Sequence, residues 1–461
     1  MSMQILDVAD AAPGPAFRAG RHALAHIPGN EGWPLIGRTL NILADPKGEV
    51  ERMAAKYGLV HRTRVLGETG IALLGPEANE FVLCDQTKLF SSTHGWSVLL
   101  DRLFPRGLLL LDFEEHRLHR RTISVAFKAE AMKSYLATLD AGIAAQAARW
   151  RSQPGPMLLY PAVKQMTFDL AAASFLGPDT GRQINDVKRA ISDMVEAALA
   201  PIRKPWPGTK MARGLKGRAH IIGYFSREVS RRRSLNGEDL FSQLCRATHE
   251  NGDLLSTQEI IDHMGFLMTA AYETLTSSLT TFVYFLAVNP QWQAALRDEV
   301  VSLGLSPEQP LPYEKLASLT QVEMAFKEAM RLKPPVPSIA RRATRDFALG
   351  GYAIPAGTLI GLNPLYTHHM ADHWAEPERF DPMRFTDAAQ RGRHRYAYLP
   401  FGGGAHMCLG LHFAYMQAKC FARHFLQNLT VSLEPGYRPV WQMWPIPKPK
   451  DGLRVNLGRV G

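Results

Sequence analysis

Apolar residues recur at helical spacing through most of residues 114–303. The pattern predicts helices over 114–127, 129–151, 160–176, 183–200, 214–232 and 237–249, then a long one over 257–289. Another, 319–332, must stop before Pro334-Pro335, and Pro201, Pro205 and Pro207 break the chain between neighbouring central helices. Alternation with period two is confined to short stretches. Residues 61–66 and 71–74 flank Gly67-Glu68-Thr69-Gly70 and read as a hairpin, and 337–343, 347–349 and 358–362 read as strands. An irregular stretch over 371–400 leads into a glycine-rich loop, and a last helix is predicted over 411–427. The class is mainly α with a minor β part.

Composition narrows the picture. Of 461 residues, 46% are hydrophobic and 21% charged, enough for a large core and too ordered a balance for a disordered chain. Residues 1–26 mix Asp7, Asp10, Arg18 and Arg21 into apolar positions and are expected to be a flexible leader ahead of one domain, 27–461. No stretch approaches the ~20 apolar residues of a membrane span, so a cytoplasmic protein without an integral anchor is expected. Four cysteines without a C-x-x-C pair suit a reducing compartment. The net charge of +10 is spread along the chain with no nucleic-acid module, so no nucleic-acid partner is expected.

The chemistry concentrates near the C-terminus, in Phe401-Gly402-Gly403-Gly404-Ala405-His406-Met407-Cys408-Leu409-Gly410. A lone cysteine here has no disulfide mate and too few neighbours for a structural zinc site. Glycines bare backbone N–H groups that can bond an anionic sulfur, and they let a flat cofactor approach the main chain. Thiolate ligation of haem iron needs that combination.

Helix after helix, then Glu328-Ala329-Met330-Arg331, then Phe-x-x-Gly-x-His-x-Cys-x-Gly resembles the cytochrome P-450 superfamily of haem-thiolate monooxygenases, from Pro28 to the C-terminus. The resemblance implies a triangular helical prism with small β-sheets and haem b between the I and L helices. It makes Cys408 the iron ligand, with Phe401, Gly402 and Gly410 shaping its loop. Glu328, Arg331 and Arg384 become a structural brace behind that loop. Other Glu-x-x-Arg spacings, such as Glu114–Arg117, carry no such meaning, because an i,i+3 pair is ordinarily a surface ion pair. The resemblance also implies that His116, Arg120, Arg341 and His406 meet the haem propionates; Arg342 is adjacent to Arg341. Ala270-Ala271-Tyr272-Glu273-Thr274 resembles the oxygen-activation motif, with Ala270 at the haem, Ala271 where glycine is commoner, and Glu273 and Thr274 as the catalytic acid and alcohol. A carboxylate and a hydroxyl suit proton delivery, whereas a threonine bonded back to a carbonyl would only bend the helix.

No flavin or iron–sulfur module follows Gly410, so electrons are expected from a separate ferredoxin or flavodoxin and its NAD(P)H-dependent reductase, acting on a monomer. Arg117, Arg120, Arg121, Lys128, Arg391, Arg393 and Arg395 are the candidate docking face for that acidic partner. Candidate pocket residues are Trp96, Phe266, Ala271, Val336 and Ile339, apolar enough for a lipophilic substrate such as a terpenoid, retinoid, steroid or fatty acid, oxidised with O₂. The chain looks closest to the retinoid- and sterol-hydroxylase branch. The alternatives are a peroxygenase, isomerase or dehydratase on the same scaffold, a haem gas sensor, and a zinc protein using His406, Cys408 and His412.

Overall fold

The computed structural model describes residues 23–177, 183–198, 200 and 203–460. Residues 1–22 of the expected leader and some of the proline-rich interval, Pro201 included, lie outside the described residues. The leader's last residues belong to the fold. Leu24 is buried beside Ile27, and the His26 ring bonds the Ala353 carbonyl at 2.8 Å.

Thr257–Val288 runs through the interior and is buried along most of its length, which is why its sequence is apolar almost all round. Its start is fixed by a capping box, with the Ser256 hydroxyl accepting from the Glu259 N–H and the Glu259 carboxylate accepting from the Ser256 N–H. Leu159–Leu176, Ala129–Ser152, Thr320–Leu332 and Leu411–Asn428 pack around it into the main core. Gln183–Ala198 and Lys210–Arg233 lie close together because Gly214 and Gly217 carry no side chain. A Cβ at Gly214 would stand 2.3 Å from the Ala197 Cβ, and one at Gly217 would stand 2.5 Å from the Ala190 carbonyl oxygen.

A second core covers a five-stranded sheet ordered Val60–Val65, Glu68–Leu73, Leu359–Leu362, Ile339–Ala343 and Phe90–Ser91. The second and third strands are parallel and the other pairs antiparallel. The register sets Arg341 opposite Ile360 and Arg342 opposite Leu359, so successive arginines point to opposite faces. Gly155–Leu158, Arg454–Arg459 and Leu429–Ser432 form a three-stranded sheet with Arg454–Arg459 in the middle.

The predicted helix 237–249 is shorter than expected. It runs Leu240–Arg246, capped by Asp239, and Thr248 and Leu254 then pair as a small hairpin whose turn uses Gly252 at φ +87°. Pro46–Tyr57, Pro76–Leu83 and Pro290–Ser302 went unpredicted, although each begins on a proline, the residue suited to a first helical position. No helix among the described residues is long and apolar enough to cross a membrane.

Candidate functional site

The glycine-rich loop is held between the start of Leu411–Asn428 and the end of Pro76–Leu83. Gly404, at φ +61°, lies so close that a Cβ there would stand 1.6 Å from the Leu83 carbonyl oxygen. The Cys408 N–H donates to the Phe401 carbonyl at 2.9 Å and closes the loop, while Phe401 packs on Tyr415 with ring centroids 5.3 Å apart. Gly402 adopts φ +69°, open to glycine without strain. Cys408 is exposed, yet burial is the largest influence on its thiol and pushes its pKa up. The two agree if the surface it shows faces an internal chamber. The Gly410 N–H bonded to its sulfur and the nearby Arg120 charge pull the other way.

Four basic groups converge near this loop, and the charge of one of them, Arg120, reaches the sulfur. His116 and His406 stack with ring centroids 3.8 Å apart. Burial, reinforced by the charges of Arg120 and Arg341, pushes His116 down to about 4 and His406 to about 2. Burial also lowers Arg120 and takes Arg341 to about 10. Arg341 donates only to the Ala340 carbonyl and Arg120 has no ion pair among the described residues, while His116 Nε2 is buried without a partner. Arg342, on the other face of the strand, is taken up by Glu68 at 2.8 Å and by the His94 and Gly357 carbonyls. The nearest acid, Asp112, accepts from Ser91, Ser92 and Thr93. Its charge still acts on His116 and Arg341, but among the described residues no carboxylate makes an ion pair with any of the four.

Behind the loop, Glu328 and Arg331 are 0% exposed and doubly bonded at 2.7 and 2.8 Å. Glu328 also accepts from the Asp381 N–H at 3.0 Å and Arg384 Nε at 3.2 Å. Arg331 donates to the carbonyls of His368, Pro377 and Arg379. His368 carries the brace onward. Its Nε2 accepts from the Leu399 N–H at 2.9 Å, its Nδ1 meets the Arg331 carbonyl at 3.2 Å, and the Leu399 carbonyl takes the Gly402 N–H. The sequence reading missed His368, since nothing local distinguishes it.

On the long helix, the Thr274 hydroxyl donates to the Ala270 carbonyl at 2.8 Å, the bond expected of the helix-bending alternative, and it leaves the hydroxyl oxygen's lone pairs free to accept. Glu273, 7% exposed, pairs with Lys164 at 2.7 Å, and Lys164 is partly open to solvent. Lys164 was also missed, because it lies on Leu159–Leu176, far away in sequence.

The cytochrome P450 family model matches residues 27–452. The chain belongs to the cytochrome P450 family. It is 34% identical over 444 residues to a protein named cytochrome P450 136 of Mycobacterium tuberculosis, covering 94% of this chain and 89% of that one. It is 27% identical to a taxane 10-beta-hydroxylase of Taxus cuspidata, covering 93% and 89%. A cyanobacterial cytochrome P450 solved with retinoic acid bound superposes with a TM-score of 0.84 at 29% identity, covering 94% and 99%. The chain is therefore a P450 monooxygenase that uses haem b.

The residues present fit that group. Haem carries two propionates, and the quartet of His116, Arg120, Arg341 and His406 offers donors without an acid of its own. The other cysteines do not compete with Cys408. Cys84 bonds the Tyr396 hydroxyl at 2.5 Å. Cys245 is buried in the core, and Cys420 is wholly buried within Leu411–Asn428, bonded to Asp140 beside His424.

Of the pocket residues, Trp96 and Ile339 line one apolar cavity between the five-stranded sheet, the N-terminal helices and Trp444, which neither Cys408, Thr274 nor the basic quartet lines. Phe266, Ala271 and Val336 do not line it. Phe266 packs on Phe104 at 6.2 Å, Ala271 lies against the main core and Val336 against the sheet core. The expected docking face also thins. Arg120 turns to the sulfur, Arg393 lies 4.0 Å over the Trp374 ring, and Arg117 and Arg121 pair with Glu114 and Glu250. Lys128, Arg391 and Arg395 stay exposed.

Proposed function

We propose that this P450 inserts one atom of O₂ into a C–H bond of a lipophilic isoprenoid, with Cys408 as the residue that would hold the haem iron. The observation that carries the reading is the accessible Cys408 thiol beside a basic quartet with no acid of its own. Haem, when bound, supplies the iron at which O₂ is reduced and its O–O bond split.

The chain's own residues do the rest. Cys408 gives up its proton to bind metal, and the Gly410 N–H and Arg120 stabilise the resulting sulfur charge. His116, Arg120, Arg341 and His406 would hold the propionates. The brace from Glu328 and Arg331 through His368 to Leu399 keeps the loop from shifting. With its hydrogen on Ala270, Thr274 offers its oxygen lone pairs, so it orients a water by accepting. Glu273 is next in sequence and so lies on a different face of the helix. Protons must cross between them through water, drawn from solvent past Lys164.

The substrate class rests on two supports. The expected pocket residues Trp96, Phe266, Ala271, Val336 and Ile339 are all apolar, and the relatives named for ligands concern taxanes and retinoic acid, both isoprenoids. Fatty acids, which are not isoprenoids, are the comparison arm of the test. The purified protein, reduced under carbon monoxide, should show the thiolate absorption band. Titration with a terpenoid, retinoid, steroid and fatty-acid panel should shift the haem spin state with the isoprenoids. Turnover under ¹⁸O₂ should place one labelled oxygen in product, dependent on NAD(P)H and a ferredoxin or flavodoxin. A Cys408→Ser protein retaining the thiolate band, or product unlabelled by ¹⁸O₂, overturns the reading. Electrons come from separate redox proteins; with Lys128 and Arg391 on the docking face, charge reversal there should weaken the salt dependence of electron transfer.

A further inference from the structure

Leu158, Val301 and Val440 are exposed singly, which is ordinary for large apolar side chains. One stretch is different. Trp33 is 67% exposed and Leu35 87%, and Ile36, Leu40 and Leu43 are exposed after them. The fold gathers these residues without letting them fall back on the core. Gly37 pairs with both Trp33 and Val65, and the Arg38 N–H donates to the Arg64 carbonyl at 2.8 Å. The tip of the first hairpin comes down on the same place. The Leu66 N–H donates to Thr39 Oγ1 at 2.7 Å, and a Cβ on Gly67 would stand 3.0 Å from the Leu35 carbonyl oxygen. Leu66, itself exposed, joins the patch. The acids around it are neutralised, Glu31 by Arg62, Asp45 by Arg52, Glu49 by Arg38 and Glu68 by Arg342.

This patch borders an opening. Ile42 and the exposed Leu66 line the apolar cavity of Trp96 and Ile339, so the cavity reaches the surface here. Val98 and Leu99, at the end of the helix Ser92–Leu100, line the same cavity. A basic group sits on Leu99. The Leu99 carbonyl accepts from Arg203 Nη2 at 2.9 Å, and the Arg203 carbonyl accepts from Arg102 at 2.8 Å. Lys204 and Trp206 follow, both exposed, Trp206 by 60%. Arg102, Arg203 and Lys204 form no ion pair with a carboxylate among the described residues. The acid beside them, Asp101, accepts from the Arg102 N–H, and its charge reaches Arg203.

An apolar cavity thus opens between an apolar rim and a basic shoulder that carries a tryptophan. Leucine, tryptophan and unpaired cations together are what a surface lying at lipid headgroup level requires. A second copy meeting this face about a two-fold axis fits less well, because it would bring the same unpaired cations towards one another. We propose that this face docks on an anionic lipid bilayer. Trp33, Leu35, Ile36, Leu40, Leu66 and Trp206 enter the interface, and Arg102, Arg203 and Lys204 are drawn to lipid phosphates. The contact is peripheral, since no described helix is long and apolar enough to cross a membrane. That a lipophilic substrate then enters the cavity without crossing water rests on the reading of the substrate; the docking itself does not.

The test sediments full-length, haem-loaded protein with vesicles of phosphatidylcholine, alone or mixed with phosphatidylglycerol. Binding to the anionic vesicles should be tighter by about tenfold or more, and should weaken with added salt. Leu35→Ser with Leu40→Ser, and Lys204→Glu with Trp206→Ser, should each weaken it by about tenfold or more. All four side chains are exposed, so the haem spectrum and unfolding temperature should stay those of the parent. Val301→Ser removes an exposed apolar residue elsewhere and should bind as the parent does. Absence of sedimentation with anionic vesicles, or equal binding by the parent and both patch variants, overturns the proposal. So does a parent dimer that Leu35→Ser with Leu40→Ser splits into monomers, which assigns the face to a second copy. Vesicle binding that appears only after Ile5→Ser with Leu6→Ser assigns the patch to the leader and overturns it too.

Discussion

Replacing Glu328 by glutamine keeps the shape of the side chain and removes one charge from the interior. Glu328 accepts from Arg331 twice, from the Asp381 N–H and from Arg384. It and Arg331 are 0% exposed, and the Arg384 side chain only 9%. Glutamine leaves two guanidinium groups without their anion and turns an amide NH₂ towards donors. Removing one partner of such a pair costs about 3–5 kcal/mol, a large share of the roughly 5–15 kcal/mol that holds a typical protein folded. A double variant, Glu328→Leu with Arg331→Met, separates two contributions. It removes the pair together, a change that is often neutral for an isolated pair. Here Arg331 also serves three backbone carbonyls, which the double variant strips of their donor. Losses of about 1–3 kcal/mol per unsatisfied group should therefore keep the double variant unstable. The assay is urea unfolding followed by haem absorbance and by far-ultraviolet dichroism on the same samples. A Glu328→Gln protein within about 0.5 kcal/mol of the parent, the range of an inert surface change, would refute the argument. A double variant as stable as the parent would show that the pair matters but its carbonyl contacts do not.

Other expectations follow from the same geometry. Thr274→Ala removes the hydroxyl that orients water, so reductant should be consumed with release of hydrogen peroxide; tight coupling of reductant to product would contradict that role. Lys164→Met strands the buried Glu273 carboxylate. Product formation should fall on the order of 10²-fold, the low end of general acid–base effects, with a larger solvent isotope effect, and an unchanged isotope effect would remove Lys164 from the proton path. His368→Phe leaves the Leu399 N–H without its acceptor and should cost about 1–3 kcal/mol, seen as a lower urea midpoint and a weaker thiolate band. In haem-free protein His116 is pushed down to about 4 by burial and by Arg120, against about 6.5 in an unfolded chain. The unfolded chain then binds a proton that the folded one refuses, so stability should fall as pH drops from 6.5 towards 4. His116→Gln should flatten that slope, and an equally steep slope in the variant would count against the assignment.

The cysteine loop, the long helix and the Glu-x-x-Arg helix were legible in one dimension because each depends on neighbours in sequence. Loop residues 401–410 carry their own glycines, and Thr257–Val288 carries its own capping box and an apolar run. Short elements whose apolar pattern is brief, such as Pro76–Leu83, were lost, as was the three-stranded sheet, whose strands come from distant segments. The partners of the site residues were beyond reach for the same reason. Arg341 rather than Arg342 acts on His116 and His406 because strand alternation turns them apart, and the register fixing that is set by Leu359–Leu362. Lys164 meets Glu273, His368 reaches Leu399 and His119 meets His263 only where separate helices and loops are packed together. Local spacing thus determined the chemistry on offer. Tertiary packing decided which charges find partners, because pairing and desolvation depend on distance in space, not along the chain.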